Sequence, residues 1–439
     1  DVFRVFDPLN WVENMRVSMD AVLEADKVLE GCLCYTGDIH DPNRAKYDLK
    51  YYVKMAKELQ KAGAHILCIK DMGGLVKPDA ASALVKALKE ETGLPLHFHT
   101  HDTAGIALAS ILAAADAGVD AVDCAMDSLS GNTSQATLGT LVEGLKHSDR
   151  ATGLDIEAIR RISNYWEAVR EHYLAFESGM QSPSSEVYLH EMPGGQFTNL
   201  KAQARSMGLE ERWHEVAKTY ADVNHMFGDV IKVTPIAKTV GDLALMLVSQ
   251  GVTCEELLNS DADFAFPDSV ITLMKGHVGQ APGGFPKDIV KKVLKGEKPI
   301  TERPGSLLEE ADLEGERKKL EERLEEEIDN EDLNGYMMYP QVFEDYMTRH
   351  AKYGPVRTLP TRTFFYGMMP GEEISTEIDP GVTLEIRCQA IADTTDEGVA
   401  KVFFELNGQP RIIRVQDRSI SGAAVAMAKA DPKNPNHVG

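Results

Sequence analysis

Over the first 150 residues, short apolar runs alternate with longer stretches whose apolar positions recur at helical spacing. Runs of strand composition fall at Asp1–Phe6, Leu29–Tyr35, His65–Ile69, Leu94–His99 and Val119–Ala125, while Asp48–Ala62, Ala80–Glu91 and Ile106–Ala117 carry helical periodicity. Strands apolar on both faces and joined by helical crossovers predict a parallel sheet, either a barrel or a doubly wound sheet. Polar and ionisable residues gather at the C-terminal ends of successive strands, at Tyr35–Asp38, Ile69–Gly74, His97–Thr103 and Ala125–Ser134. In a barrel those ends meet at one mouth, where active sites lie, so the α/β pattern reads as a (β/α)8 TIM barrel. Five strands fit before Ser130 and a closed barrel needs eight. At least one or two further strands are therefore expected ahead of Asp1, with the chain a piece of a longer protein that enters the barrel at about the third strand.

The repetition fades after residue 150. Residues 1–150 are expected to form the barrel region and 151–298 a helical extension, with turns marked at MPGGQ, FGD and APGGFP. Residues 299–363 read as a charged helical linker, because the stretch 302–333 is dense in Glu, Asp, Lys and Arg and suggests a solvated face. Residues 364–439 read as a small β-containing domain. Within it Asn407-Gly408 between FFEL and RIIRV predicts a hairpin, and the Ala-, Pro-, Lys- and Asn-rich stretch 423–439 reads as a linker.

Composition narrows the function classes. A net charge of −23 and the lack of a basic stripe oppose nucleic-acid binding. No apolar run is long enough to span a bilayer, and the N-terminus lacks signal-peptide regions, so no membrane partner is expected. The six cysteines are scattered without a C-x-x-C, which favours reduced core thiols in a reducing compartment.

The strongest chemical signal is His99-Thr100-His101-Asp102-Thr103 at the end of an apolar strand. Residues i and i+2 of a strand face the same side, so both imidazoles can address one ion. A structural, hydrogen-bonding pair of histidines is the plainer alternative. Lys70 ends another strand beside them, and its ammonium would repel a cation. Either it is salt-bridged, for instance to Asp71, or its neutral amine has taken up CO2 to form a carbamate, an anionic oxygen ligand. Thr234, ahead of Pro235, reads by itself as a turn or cap residue.

Six segments carry a resemblance: YTGD (Tyr35–Asp38), HILCIKDMGGLVKP (His65–Pro78), LPLHFHTHDTAG (Leu94–Gly105), MPGGQFTNL (Met192–Leu200), GDVIKVTP (Gly228–Pro235) and FFELNGQPR (Phe403–Arg411). In this order, over essentially the whole chain, they resemble the pyruvate carboxylase family of biotin-dependent enzymes, across the carboxyltransferase region and the following central, allosteric domain. The resemblance implies carboxyl transfer from carboxybiotin to pyruvate, giving oxaloacetate through a metal-stabilised enolpyruvate. It makes Lys70 the carboxylated lysine and His99 and His101 the histidine ligands of a divalent metal, zinc or manganese. Thr234 becomes the residue that passes a proton between the pyruvate methyl group and biotin, and Lys238 and Ala237 line the biotin pocket. The family's fourth metal ligand, an aspartate in a D-A-H-Q-S type motif, and its pyruvate-binding arginine are not in this sequence. Arg4 is not that arginine and is assigned a structural role.

One departure touches biotin directly. Where the family reads T-P-S-S-K this chain has Ile236 and Ala237, so a hydroxyl is lost at a cost on the order of 1 kcal/mol in biotin binding. The resemblance further implies a biotin carrier domain, and ATP and Mg used by a domain outside this chain, since neither an A-M-K-M motif nor an ATP-grasp region occurs here. It also implies a homotetramer, acetyl-CoA as effector, and a bacterial cytoplasmic or eukaryotic mitochondrial-matrix location. Rival readings are an oxaloacetate decarboxylase or transcarboxylase subunit, an aldol-type metal-dependent lyase or synthase on the same barrel, and a non-enzymatic assembly fragment.

Overall fold

The computed structural model describes residues 1–177, 179–395 and 398–417; the linker expected over 423–439 lies outside them. Strands β1 (Val2–Val5), β2 (Val28–Cys34), β3 (Ile66–Asp71), β4 (Leu96–Thr100) and β5 (Ala121–Val122) form one parallel sheet in the order β1-β2-β3-β4-β5. A doubly wound sheet reverses its strand order at a switch point. This sheet has no reversal, which is the arrangement of successive staves of a (β/α)8 barrel. Helices α1 (Val12–Glu24), α2 (Leu49–Lys61), α3 (Pro78–Thr92) and α4 (Ala107–Asp116) follow β1 to β4 in turn.

Local chemistry sets the helix ends. Asp48 caps α2 by accepting from the Tyr51 amide, Pro78 opens α3, and Gly93 closes it in the left-handed region at φ 67°. Helix α1 went unassigned in the strand-and-helix reading, although Val12, Met15, Met19 and Val22 mark its buried stripe. Strand β5 is shorter than the expected Val119–Ala125, because among the described residues it is hydrogen-bonded to β4 alone and its ladder ends after two pairs.

The helical extension follows as α5 (Leu138–Leu145), α6 (Ile156–Arg170), α7 (Val187–His190), α8 (Gly194–Ser206), α9 (Trp213–Met226), α10 (Ile236–Gln250), α11 (Cys254–Asn259), α12 (Asp268–Met274) and α13 (Lys287–Leu294). Two cores result. Leu29, Leu33, Leu67, Ile69, Leu96 and Phe98 of the strands pack with the inner faces of α1 to α4. Tyr220, Phe227, Leu243, Leu247, Val270 and Leu273 centre a second core within α8 to α13. The connection between α9 and α10 belongs to both, since Ile231 and Val233 lie in the first core and Val230 and Ile236 in the second.

The chain divides into two compact units, Asp1–Glu309 and Glu310–Gly439. In the second unit the charged stretch is more than a solvated face. Helices α14 (Leu313–Leu324), α15 (Asn330–Met338), α16 (Pro340–Tyr353) and α17 (Thr361–Tyr366) are present, and Leu320, Ile328, Leu333 and Phe343 form a small core among the first three. Antiparallel strands β6 (Glu373–Asp379), β7 (Val382–Ile391), β8 (Val399–Leu406) and β9 (Gln409–Gln416) close the described chain. Leu406 pairs with Gln409 across Asn407-Gly408, both at positive φ, so the hairpin loop has two residues.

A buried ionic network fastens the extension to the barrel. Arg44, in the loop after β2, pairs with Glu191 and places Nη2 2.9 Å from Asp229 Oδ1, and Lys232 Nζ stands 3.0 Å from Glu191 Oε2. Burial alone would raise the Glu191 pKa, but the Lys232 charge and the Arg44 hydrogen bond outweigh it and bring it down to about 2. A carboxyl depressed on folding contributes stability present above its ordinary value of 4.5 and lost as pH falls through about 2. Glu191→Gln should therefore lower the melting temperature most at neutral pH, and the gap from wild type should narrow as pH drops below 4.5. Thermal melts across that range check it; a gap independent of pH would contradict the assignment.

Candidate metal centre and active site

The register of β2, β3 and β4 sets Cys34, Lys70 and His99 opposite one another on adjacent strands. His101 follows His99 by two residues, so the histidine pair and Lys70 share one level at the C-terminal rim. The two imidazole Nε2 atoms are 3.3 Å apart. His99 Nδ1 lies 2.8 Å from Asp123 Oδ2, and His101 Nδ1 lies 2.6 Å from the Thr133 carbonyl oxygen. Neither partner can donate, so both Nδ1 atoms carry hydrogen and the two Nε2 atoms face each other. Burial pushes the His101 pKa down to about 4, with the charges of His99 and Lys70 adding to the effect against the Thr133 hydrogen bond, so this ring is neutral near pH 7.

Two such nitrogens can share a proton or a metal cation, and Gln135 Nε2 is a further neighbour 3.5 Å from His101 Nε2. Two nitrogens each about 2.1 Å from one ion at a near-tetrahedral angle stand about 3.4 Å apart, so the observed separation fits two ligands of one metal. Lys70 is 8% exposed and lies 4.5 Å over the Phe6 ring. Its ammonium forms no hydrogen bond or ion pair with any described residue. The Asp71 salt bridge is not made: Asp71 accepts from the Leu75 and Val76 amides and from Thr100 Oγ1, each at 2.8 Å. Among the described residues Lys70 thus has no anion to balance it, and a carbamate would turn this uncompensated position into an oxygen ligand.

Below the rim, Asp123 ties the histidines to the barrel interior. Besides His99 it accepts from His97 Nε2 at 2.8 Å and from Arg4 Nη1 at 3.0 Å. Arg4 also pairs with Glu30, whose other oxygen lies 2.6 Å from His97 Nδ1. Burial would raise the Asp123 pKa, but the hydrogen bonds from His97, His99 and Arg4 hold it far below the usual carboxylate range. The same carboxylates bring the His97 pKa up to about 9 against the effect of burial. Glu30, Cys32 and Cys68 also lie close enough together to hold an ion, but the Glu30 oxygens are already committed to Arg4 and His97.

Two glycines fit against His101 because they lack a side chain. Gly74, at φ 70°, would drive a Cβ into the His101 carbonyl oxygen. A Cβ on Gly194 would come within 2.8 Å of His101 Nδ1 and 2.7 Å of the Thr133 oxygen. These are the glycines of the IKDMGG and MPGG segments, and they let the turn before α8 seat on the metal-side ring.

The structure brings Lys70, His99 and His101 together. Thr234, Ala237 and Lys238 form a separate group at the start of α10, without a hydrogen bond to the first three. Thr234 is exposed at the end of the connection from α9, Ala237 is fully buried, and Lys238 Nζ pairs with Asp242 Oδ2 at 2.6 Å. Sequence reasoning missed Asp123, Glu191 and Lys232. Only their position near strand ends and motif segments could have marked them, since their partners lie up to 196 residues away.

Residues 20–165 match the HMGL-like family and residues 187–387 the family described as Conserved carboxylase domain. The pyruvate carboxylase of Bacillus subtilis is 48% identical over 438 residues, which cover 100% of this chain and 38% of that protein. The chain thus spans well under half the length of the curated relatives it matches. The solved carboxyl transferase domain of Rhizobium etli pyruvate carboxylase, with pyruvate and biocytin, is 61% identical with a TM-score of 0.93, covering 95% of this chain and 70% of that one. A structure of the Rhizobium etli enzyme with the allosteric activator acetyl coenzyme-A is 60% identical with a TM-score of 0.92, covering 95% of this chain and 42% of that one.

If Asp123 fixes the His99 ring for a metal, Asp123→Asn should weaken metal binding by about 10–100-fold while leaving the fold intact. Chelator competition with the intact protein measures this, and unchanged affinity would remove Asp123 from the site.

Proposed function

The chain belongs to the pyruvate carboxylase family, and on that premise we propose that it transfers a carboxyl group from carboxybiotin to pyruvate, giving oxaloacetate. The observation that carries the reading is the meeting of His99 and His101, their Nε2 atoms 3.3 Å apart, with a buried Lys70 that has no counter-ion among the described residues. His99, His101 and carboxylated Lys70 would hold a divalent cation, with zinc and manganese both suited to two imidazoles and an oxygen anion. Bound there, the ion supplies a Lewis acid for a substrate carbonyl oxygen.

The chain's own residues do the rest. Burial keeps His101 neutral and so available as a ligand, while Asp123 and the Thr133 carbonyl fix the ring orientations before any ion arrives. Thr234 has a hydroxyl that can donate and accept at once. It gives its proton to the biotin nitrogen from which CO2 has departed and takes one from the pyruvate methyl carbon. That carbon then bonds to the CO2. Ala237 offers biotin no hydroxyl, and Lys238, tied to Asp242, is the polar group left on that turn.

The partners belong to the same proposal. A carrier domain outside this chain brings carboxybiotin, and a further domain uses ATP and Mg to charge it. Assembly as a homotetramer is proposed from the family, and acetyl-CoA control is supported by the Rhizobium etli enzyme bound to that activator. No helix of the described residues is long and apolar enough to cross a membrane.

In the full-length protein, a carbon-13 label supplied as bicarbonate should appear as a carbamate on Lys70, and Lys70→Met should lose both the label and the metal. Thr234→Ala should keep the metal and lose oxamate-dependent decarboxylation of oxaloacetate by about 10²–10⁴-fold. An unmodified Lys70 in the metal-loaded protein would overturn the ligand set and favour an aldol-type lyase or synthase. Full activity of Thr234→Ala would remove the proton carrier.

A further inference from the structure

Thr234 poses a positional problem. It is exposed, and the four residues before it, Val230–Val233, belong to no helix or strand. Proton transfer demands placement within hydrogen-bond reach, and a 1 Å error can cost about 10²-fold in rate. Ile231 and Val233 anchor one side of the segment by burial in the barrel core. Hydrogen bonds from the Val230 amide to Asn224 Oδ1 at 3.1 Å and from Tyr47 Oη to the Asp229 carbonyl oxygen at 2.8 Å pin its start, and its middle keeps the freedom to slide that apolar contacts allow.

Lys232 removes that freedom. It is 4% exposed, and its ammonium has three donors. All three are engaged: Nζ lies 3.0 Å from Glu191 Oε2, 3.1 Å from Thr36 Oγ1 and 3.2 Å from the Val230 carbonyl oxygen. Glu191 and Thr36 lie outside the segment and fix Nζ against it, while the Val230 contact holds the side chain back along its own segment. Thr36 adjoins Tyr35, whose amide donates to the Lys70 carbonyl oxygen at 2.9 Å. The path from the metal-side lysine to the threonine therefore runs through one backbone hydrogen bond, one adjacent residue, one side-chain hydrogen bond and two residues of chain.

A second observation concerns the acids that complete the network. Glu191 has φ 53° and Asp229 φ 54°, the left-handed region that glycine occupies most easily. Carboxylates stand at both positions, and both are ion-paired to Arg44. The side chain is what these positions supply, at the expense of backbone ease.

We propose that Lys232, clamped between Glu191 and Thr36, is a positioning residue that sets where Thr234 stands relative to the Lys70–His99–His101 centre. The proposal rests on Thr234 being the proton carrier. Its failure separates from the failure of that reading, because Thr234→Ala reports on the carrier and the clamp variants report on placement.

Removing one partner of a buried ion pair strands the other charge, whereas replacing both by apolar residues of similar size is often neutral for stability. The decisive variant in the full-length protein is thus Lys232→Met with Glu191→Leu, which leaves Arg44 paired to Asp229. Thr36→Val is a milder companion that removes one hydroxyl contact. The double variant should melt near wild type, hold the same amount of metal and keep its KM for oxaloacetate, while kcat for oxamate-dependent decarboxylation falls by about 10–100-fold. Thr36→Val should move kcat in the same direction by less, again with KM and metal unchanged. Should the double variant fail to fold, the fall in kcat of Thr36→Val at constant KM carries the test. Wild-type kcat in a folded, metal-loaded double variant overturns the proposal, as does a loss of kcat that appears only together with loss of metal.

Discussion

One carboxylate holds the charge arrangement of the barrel interior together. Asp123 accepts from His99 on the rim and from His97 and Arg4 beneath it, and so connects β1, β4 and the end of β5. Its negative charge offsets the cations below and fixes the hydrogen on the far nitrogen of His99. The near nitrogen is thereby aimed at His101. If Asp123 were apolar, His97 and Arg4 would have Glu30 alone as counter-charge, and His99 would be free to rotate or change tautomer. On the proposed reading, a metal at His99 and His101 would depend on this arrangement as much as on the two histidines.

Some of this was legible in the sequence, and the reason differs by residue. His99 and His101 could be read because a strand repeats every two residues, so spacing determines facing. Lys70 could be read only as a conflict, a cation placed where a cation should bind; its register with His99 and its lack of a carboxylate partner needed the sheet. Asp123 could not be read, since its meaning lies in three donors from two other strands. Glu191 and Lys232 are silent for a related reason, because a buried ion pair is a fact of tertiary proximity and neither residue repeats with any period.

The misreadings have physical causes too. The stretch 302–333 looks like a solvated face because most of its residues are charged, yet Leu320 and Ile328 suffice, with Leu333 and Phe343, to nucleate a small core. Helix α1 carries its stripe on Val and Met, residues also at home in strands, so its period is easily overlooked beside the apolar run before it. The Ala237 methyl group is wholly enclosed. Thr234, two residues ahead of α10, and Lys238 in its first turn are exposed, while Ile236 and Ala237 lie within.

The left-handed backbone at Glu191 and Asp229 has a consequence for anyone wishing to make this protein hardier. Stabilisation strategies commonly ease such positions, and relieving one non-glycine residue there is worth on the order of 1 kcal/mol. Here the substitution would trade that relief against a buried, multiply paired carboxylate whose removal typically costs about 3–5 kcal/mol. A design procedure guided by backbone preference alone would select these two sites first and would lose by changing them.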